Sequence, residues 1–157
     1  MEEESRGTPR DAREAGDRVL PPRALVVEDE FVVLMDLNGQ LESLGCEVVG
    51  TAQDAESAIE LALSLRPDLV LMDLGLGGPD GVGAIRAIVA QTQARVIAVT
   101  AYGQEQARRA KEAGACRVLT KPVGEAQLAE AISQLIGGGI AKQGETQQMQ
   151  DRARRQQ

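Results

Sequence analysis

Apolar residues fall along this chain in short bursts of strand length, separated by stretches with helical spacing. The clearest burst is Asp68-Leu69-Val70-Leu71-Met72-Asp73, which has no polar interruption between its two carboxylates. Such a run suits a strand buried on both faces of a parallel sheet. The Gly-rich segment 75–81 follows at once and must end it. Similar bursts occur at Ala24-Leu25-Val26-Val27, at 47–52, at Arg95-Val96-Ile97-Ala98-Val99-Thr100 and at Cys116-Arg117-Val118-Leu119-Thr120. Between them, apolar residues recur every three or four positions. Phe31, Leu34, Leu37, Leu41 and Leu44 predict an amphipathic helix over 30–44, stopped by Gly45 in the C′ position. Asp54 is placed to cap a second helix carrying Ala58, Leu61, Ala62 and Leu65 and closed by Arg66-Pro67. A third, opened by Asp80, carries Val82, Ile85, Ala87, Ile88 and Val89. A polar, Ala-rich helix over 103–113 ends at Gly114, and the last, over 123–136, turns Leu128, Ile132, Leu135 and Ile136 inward.

Five strands alternating with five helices predict an α/β fold: a parallel sheet with helices on both faces. Of the two common doubly wound orders, five strands fit 2-1-3-4-5, the flavodoxin-like arrangement. That order sets strands one and three side by side, so Glu28 and Asp29 meet Asp73 in one crevice at the carboxyl edge of the sheet. Ligands bind at that edge in open α/β sheets. The globular part is expected over 24–136. Residues 1–23 mix Glu, Asp and Arg with Gly and Pro, show no apolar stripe, and are expected to form a flexible arm. Residues 137–157 open on three glycines and become Gln-rich, with Ile140 and Met149 as the sizeable apolar residues, and are expected to form a flexible tail. Its Arg152, Arg154 and Arg155 are candidates for touching an acidic surface, though solubilising ends are the plainer reading.

The 157 residues are enough for one domain with a proper core. The net charge is −7, and residues 24–136 alone carry −8, from 16 acids and 8 bases. An acidic body argues against nucleic acid as a direct partner. Phe31 and Tyr102 are the only aromatics, so stacking on bases is excluded and the core must be aliphatic. There is no histidine, which removes imidazole bases and His metal ligands. Cys46 and Cys116 read as two buried, reduced thiols. No apolar run nears the roughly 20 residues of a membrane span, and Met1-Glu2-Glu3-Glu4 is unlike a secretory leader; a cytoplasmic location is expected.

Three carboxylates in a water-poor crevice repel one another unless a hard cation accepts their oxygens, and Mg²⁺ suits two carboxylates plus water and phosphate. Asp73 then becomes a nucleophile able to carry a phosphoryl group as an acyl phosphate. Lys121 at the end of strand five would supply a counter-charge, and Thr100 at the end of strand four a hydroxyl. Each residue has a plainer explanation alone. Glu28-Asp29-Glu30 could cap a helix, Thr100 could be an ordinary strand residue, Lys121-Pro122 a strand exit, and Asp73 a turn residue. What those explanations leave unaccounted for is that all fall on successive strand ends at one edge.

Residues 24–136 resemble a response-regulator receiver domain of bacterial two-component signalling. The resemblance rests on Val26-Val27-Glu28-Asp29-Glu30, Leu71-Met72-Asp73, Asp80-Gly81, Val99-Thr100-Ala101 and Lys121-Pro122. It implies that Asp73 is the phosphoacceptor. Asp29 and Asp73 would bind Mg²⁺ directly, Glu28 through water, and the main-chain carbonyl of Gly75 would complete the site. Thr100 and Lys121 would contact the phosphoryl group, and the Lys121-Pro122 bond would be cis, an uncommon state. The chain departs from the family's commonest pattern at three places. Val118 stands where an aromatic switch residue is frequent, so Tyr102 is the candidate mobile aromatic. Gly75 stands where many relatives carry a longer side chain, which would let water reach an acyl phosphate. Gly77 replaces a proline.

The expected function is that of a stand-alone response regulator, since no effector motif follows residue 136. It would take phosphoryl from a partner histidine kinase or phosphotransfer protein and act through protein contacts or as a phosphate sink, as a monomer or weak homodimer. It is not expected to be an enzyme acting on a separate substrate. A receiver-like docking or dimerisation module is the alternative. A phosphatase of similar topology would want a second Asp where Gly75 stands.

Overall fold

The computed structural model describes residues 20–76, 81–101 and 103–136. Ten elements alternate along them: β1 (Arg23–Val27), α1 (Phe31–Ser43), β2 (Glu47–Ala52), α2 (Ala55–Leu65), β3 (Leu69–Asp73), α3 (Gly81–Gln91), β4 (Arg95–Thr100), α4 (Gln104–Ala113), β5 (Arg117–Thr120) and α5 (Glu125–Ile136). All strand pairs are parallel and the order is β2-β1-β3-β4-β5, the flavodoxin-like arrangement expected from the sequence. Residues 1–19 of the expected arm, the tail over 137–157, Asp80, Gly77 and Tyr102 lie outside the described residues.

Within each apolar burst, alternate side chains serve opposite faces. Leu25, Val27, Val70, Met72, Val96 and Ala98 pack with Ala58 and Ala62 of α2, Ile85 and Ile88 of α3, and Ala110 of α4. Ala24, Val26, Leu69, Leu71, Ile97 and Val99 pack with Leu34, Leu37 and Leu41 of α1 and with Leu128 and Ile132 of α5. All five residues of β3 are buried, as its uninterrupted run requires.

The helix ends follow the local chemistry. Asp54 Oδ1 accepts from the N–H and the hydroxyl of Ser57, both at 2.7 Å, and caps α2. Gly45 (φ 89°) follows α1 as anticipated, and Gly114 (φ 119°) terminates α4. Arg66 ends α2 in the left-handed region at φ 50° without being glycine. It is held there from both ends: its carbonyl accepts from Arg23 Nη1 at 2.9 Å, and its own Nη1 donates to Gln91 O at 3.1 Å. Asp68, expected as the first residue of β3, instead precedes it and stitches three strands. Its Oδ2 accepts from Arg23 N at 2.8 Å and its carbonyl accepts from Arg95 N at 3.0 Å.

Three sequence expectations are corrected. Phe31 is exposed rather than part of the inward stripe, because it is the first residue of α1 and the stripe reaches the sheet only from Leu34. Val89 is exposed because it lies in the last turn of α3, beside the face that buries Ile85 and Ile88, and only its methyls meet Gly114, where an added Cβ would sit 3.0 Å away. Cys46 is buried as expected, but Cys116 is exposed, in the turn entering the edge strand β5. Smaller shifts affect boundaries: Arg23 belongs to β1, and α5 begins at Glu125.

Candidate functional site

Four strands end at the same edge, and the parallel ladder continues one step past three of them, β1, β3 and β5. Glu28 N donates to Ala52 O at 2.9 Å, Leu74 N to Val99 O at 2.8 Å, and Lys121 N to Thr100 O at 2.9 Å. The backbones that carry Glu28, Asp73, Thr100 and Lys121 are thereby fixed before any side chain is considered. Gly81, the first residue of α3, fits close beneath the end of β3. A Cβ there would lie 3.1 Å from the Asp73 carbonyl oxygen and 3.4 Å from Leu74 Cα.

Glu28, Asp73 and Thr100 are 1%, 3% and 2% exposed, so three polar side chains are buried at the lip of an otherwise apolar sheet. Asp73 Oδ1 accepts from Gly75 N at 2.9 Å and lies 3.2 Å from Lys121 Nζ. Glu28 Oε2 accepts from Glu30 N at 3.1 Å, while Oε1 faces Lys121 Nζ at 3.4 Å. That 3.4 Å approach is an ion pair too long for a good hydrogen bond, and among the described residues Glu28 Oε1 accepts none. Asp29, exposed, completes a set in which one oxygen from each of Glu28, Asp29 and Asp73 lies within 4.8 Å of the others. Glu30 occupies the cap position of α1 without a side-chain hydrogen bond of its own.

The charges are not balanced by Lys121 alone. Burial raises the Glu28 carboxyl above its ordinary value, and Asp73 adds to the effect against the opposing pull of Glu30 N–H and Lys121. Burial works to lower the Lys121 ammonium, but Asp73 and Glu28 together outweigh it and hold it above its ordinary value. A group of this kind has room in its donor set for a cation. Hard oxygen ligands, one buried and without a hydrogen bond, are the chemistry a small divalent metal satisfies.

The structure brings together Glu28, Asp29, Asp73 and Lys121, and places Thr100 on the neighbouring strand end. Gly75 meets the site through its N–H. The Lys121-Pro122 bond is cis. Val118 is half-buried, pairs with Ala98 across the ladder and packs on the core beneath α3 and α4. Gln106, which sequence reasoning did not single out, accepts from Thr100 Oγ1 at 2.5 Å. A polar residue in the polar helix α4 carries no periodic mark, so only its place six residues after Thr100 hinted at it. Beside the carboxylates a groove of about 560 Å³ is lined by Val32, Val33, Leu37, Val99, Pro122 and Val123, among others. Val32 is 77% exposed, and Phe31 and Met35 extend the same apolar surface. Gln40 Nε2 ties α1 across the groove to Val123 O at 2.9 Å.

The response regulator receiver domain profile matches residues 24–133. Transcriptional regulatory protein PdtaR of Mycobacterium tuberculosis is 39% identical over 117 residues, 74% of this chain and 57% of that protein. The chain thus spans little more than half the length of that relative. Protein CcdB of Bacillus subtilis is 36% identical over 117 residues, covering 73% of this chain and 98% of that protein. Among solved structures, the signal receiver domain of a modulated diguanylate cyclase from Desulfovibrio desulfuricans superimposes with a TM-score of 0.69 at 36% identity, over 74% of this chain and 94% of that one. With the fold, the acidic cluster and the strand-end lysine on one edge, the chain belongs to the response regulator receiver domain family.

Proposed function

We propose that Asp73 accepts a phosphoryl group from the phosphohistidine of a partner kinase or phosphotransfer protein. The observation that carries this reading is the placement of Asp73: nearly buried, on a fixed strand end, with Lys121 Nζ 3.2 Å from Oδ1 and Glu28 alongside. An Asp73 oxygen attacks phosphorus, the phosphorus–nitrogen bond breaks, its electron pair leaves with the imidazole, and an acyl phosphate remains. Lys121 holds a positive charge where the phosphoryl oxygens gather, and Thr100 offers a hydroxyl from the next strand. Glu28, Asp29 and Asp73 are the residues that would hold Mg²⁺, with the Gly75 carbonyl as a fourth candidate. When bound, that ion offsets the carboxylates' mutual repulsion and the charge of the phosphoryl oxygens.

The donor is proposed to dock on the apolar flank of Phe31, Val32 and Met35, which is exposed and continuous with the groove leading to Lys121 and Pro122. Output is proposed to pass through protein contacts of the α4–β5–α5 side or through drainage of phosphoryl groups, without turnover of a separate substrate. The 98% coverage of Protein CcdB supports a receiver able to work by itself. The cytoplasm, where ATP can charge a donor histidine, is the proposed location.

Incubation with radiolabelled acetyl phosphate and Mg²⁺ tests the reading. Label on the wild type that is lost in Asp73→Asn, with the fold intact by circular dichroism, supports it. Equal labelling of Asp73→Asn, or none of the wild type, overturns it and leaves a docking module.

A further inference from the structure

We infer that Gln106 is a positioning residue that keeps the Thr100 hydroxyl turned away from Asp73 until phosphorylation; the inference rests on the phosphoacceptor reading above. A threonine hydroxyl has one hydrogen to donate. Here Thr100 Oγ1 donates to Gln106 Oε1 at 2.5 Å, so that hydrogen cannot at the same time serve an oxygen carried on Asp73. The Thr100 backbone cannot shift to serve both partners, because its carbonyl accepts from Lys121 N and its strand is paired on both sides. Rotation about χ1, among few staggered positions, is the movement left to it.

The partner of this bond is lightly held. Gln106 sits in the first turn of α4, whose buried residues are Ala110 and Ala113, both beyond that turn. Gly103 provides no side-chain cap, and the ion pairs of Arg108 with Glu105 and Glu112 stay on the helix surface. The Thr100–Gln106 bond therefore links the start of α4 to the end of β4. Withdrawing the hydroxyl toward a phosphoryl group unfastens that link, and the site's occupancy reaches the surface of α4.

Fluoroberyllate, a phosphoryl mimic, titrated with Mg²⁺ into the full chain tests this. Gln106→Met should bind it about fivefold more tightly than wild type, the factor one lost hydrogen bond represents. Gln106→Glu, which restores an acceptor at the same reach, should return to wild-type affinity or weaker. In a Thr100→Val background Gln106→Met should change nothing. Independently of the mimic, the metal-free wild type should show a single Thr100 χ1 rotamer by methyl NMR couplings and slowed exchange of the Ala107 amide, which donates to Gly103 O at 3.3 Å, both lost in Gln106→Met. Unchanged rotamer and exchange in Gln106→Met overturn the inference, as does an equal gain of affinity without the threonine hydroxyl. If the wild type binds no fluoroberyllate, the phosphoacceptor reading falls, and the rotamer and exchange results alone judge Gln106.

Discussion

Lys121 carries one positive charge between two buried carboxylates, so, on the proposed metal site, its replacement by Met separates a bound ion's contribution from the lysine's. Removing one partner of a fully buried ion pair costs about 3–5 kcal/mol, and the partial exposure of Lys121 reduces this to about 1–3 kcal/mol. Lys121→Met should therefore lower the urea midpoint in chelator, and Mg²⁺ should restore more in the variant than in wild type; equal restoration would contradict the shared-charge account. Cys46 makes a pH prediction. Burial first, and then Asp68, push its thiol from 9.0 up to about 11. Its folded-state value is raised, so its contribution is complete below pH 9 and is lost as pH rises toward 11, while the unfolded chain releases its proton. That loss is at most about 2–3 kcal/mol. Urea titrations at about pH 8 and about pH 10.5 should show a smaller decline in Cys46→Ala than in wild type. At this scale the sequence exposed Glu28, Asp73, Thr100 and Lys121 because each interrupts an apolar run at its end. It misplaced Phe31 and Val89 because spacing reports a face, not where an element overhangs its neighbours, and Cys116 because a cysteine's usual burial does not tell that it stands in a turn.

Element boundaries and faces were legible where one residue decides them, as with Asp54 at the start of α2 or Gly45 after α1. Arg66 was not legible as a left-handed terminator, since its conformation depends on partners 43 and 25 positions away. Two elements yield predictions. On α1, Val32→Asp should slow phosphotransfer from a phosphohistidine donor at least tenfold while leaving labelling by acetyl phosphate and the urea midpoint nearly unchanged, because Val32 is open to water and packs on no core. A loss with both donors would place the effect in the site instead. Between α3 and α4, Gly114→Ala should cost about 1–3 kcal/mol, from the positive φ and from the 3.0 Å approach to Val89. Adding Val89→Ala should recover the part due to crowding and leave the part due to φ, as a double-mutant cycle in urea would show.

Across the whole molecule the two edges of the sheet are built differently. Backbone and side-chain bonds of Asp68, Arg23, Arg66 and Gln91 bind one edge, whereas the other gathers acids, a hydroxyl and a lysine. Fluoroberyllate should accordingly alter amide exchange around 100–107 and leave 66–69 unmoved; an equal response at both ends would argue for a global stiffening. The sheet order could be anticipated because five strands with helical crossovers leave few arrangements. The different make-up of its two ends could not, because the bonds of the Arg23–Asp68 end are long-range and no local pattern announces them. Gly81 adds a constraint on anyone reshaping such a protein. Because an added Cβ would lie only 3.1 Å from the Asp73 carbonyl oxygen, that position works as a spacer gauge beneath the end of β3. The smallest enlargement there should push the end of the Asp73 strand by a few tenths of an ångström, so, on the proposed phosphoacceptor role, retuning the lifetime of a phosphoryl group is better attempted at Gly75, where a Cβ would lie an ordinary 3.5 Å from Asp73 Oδ1.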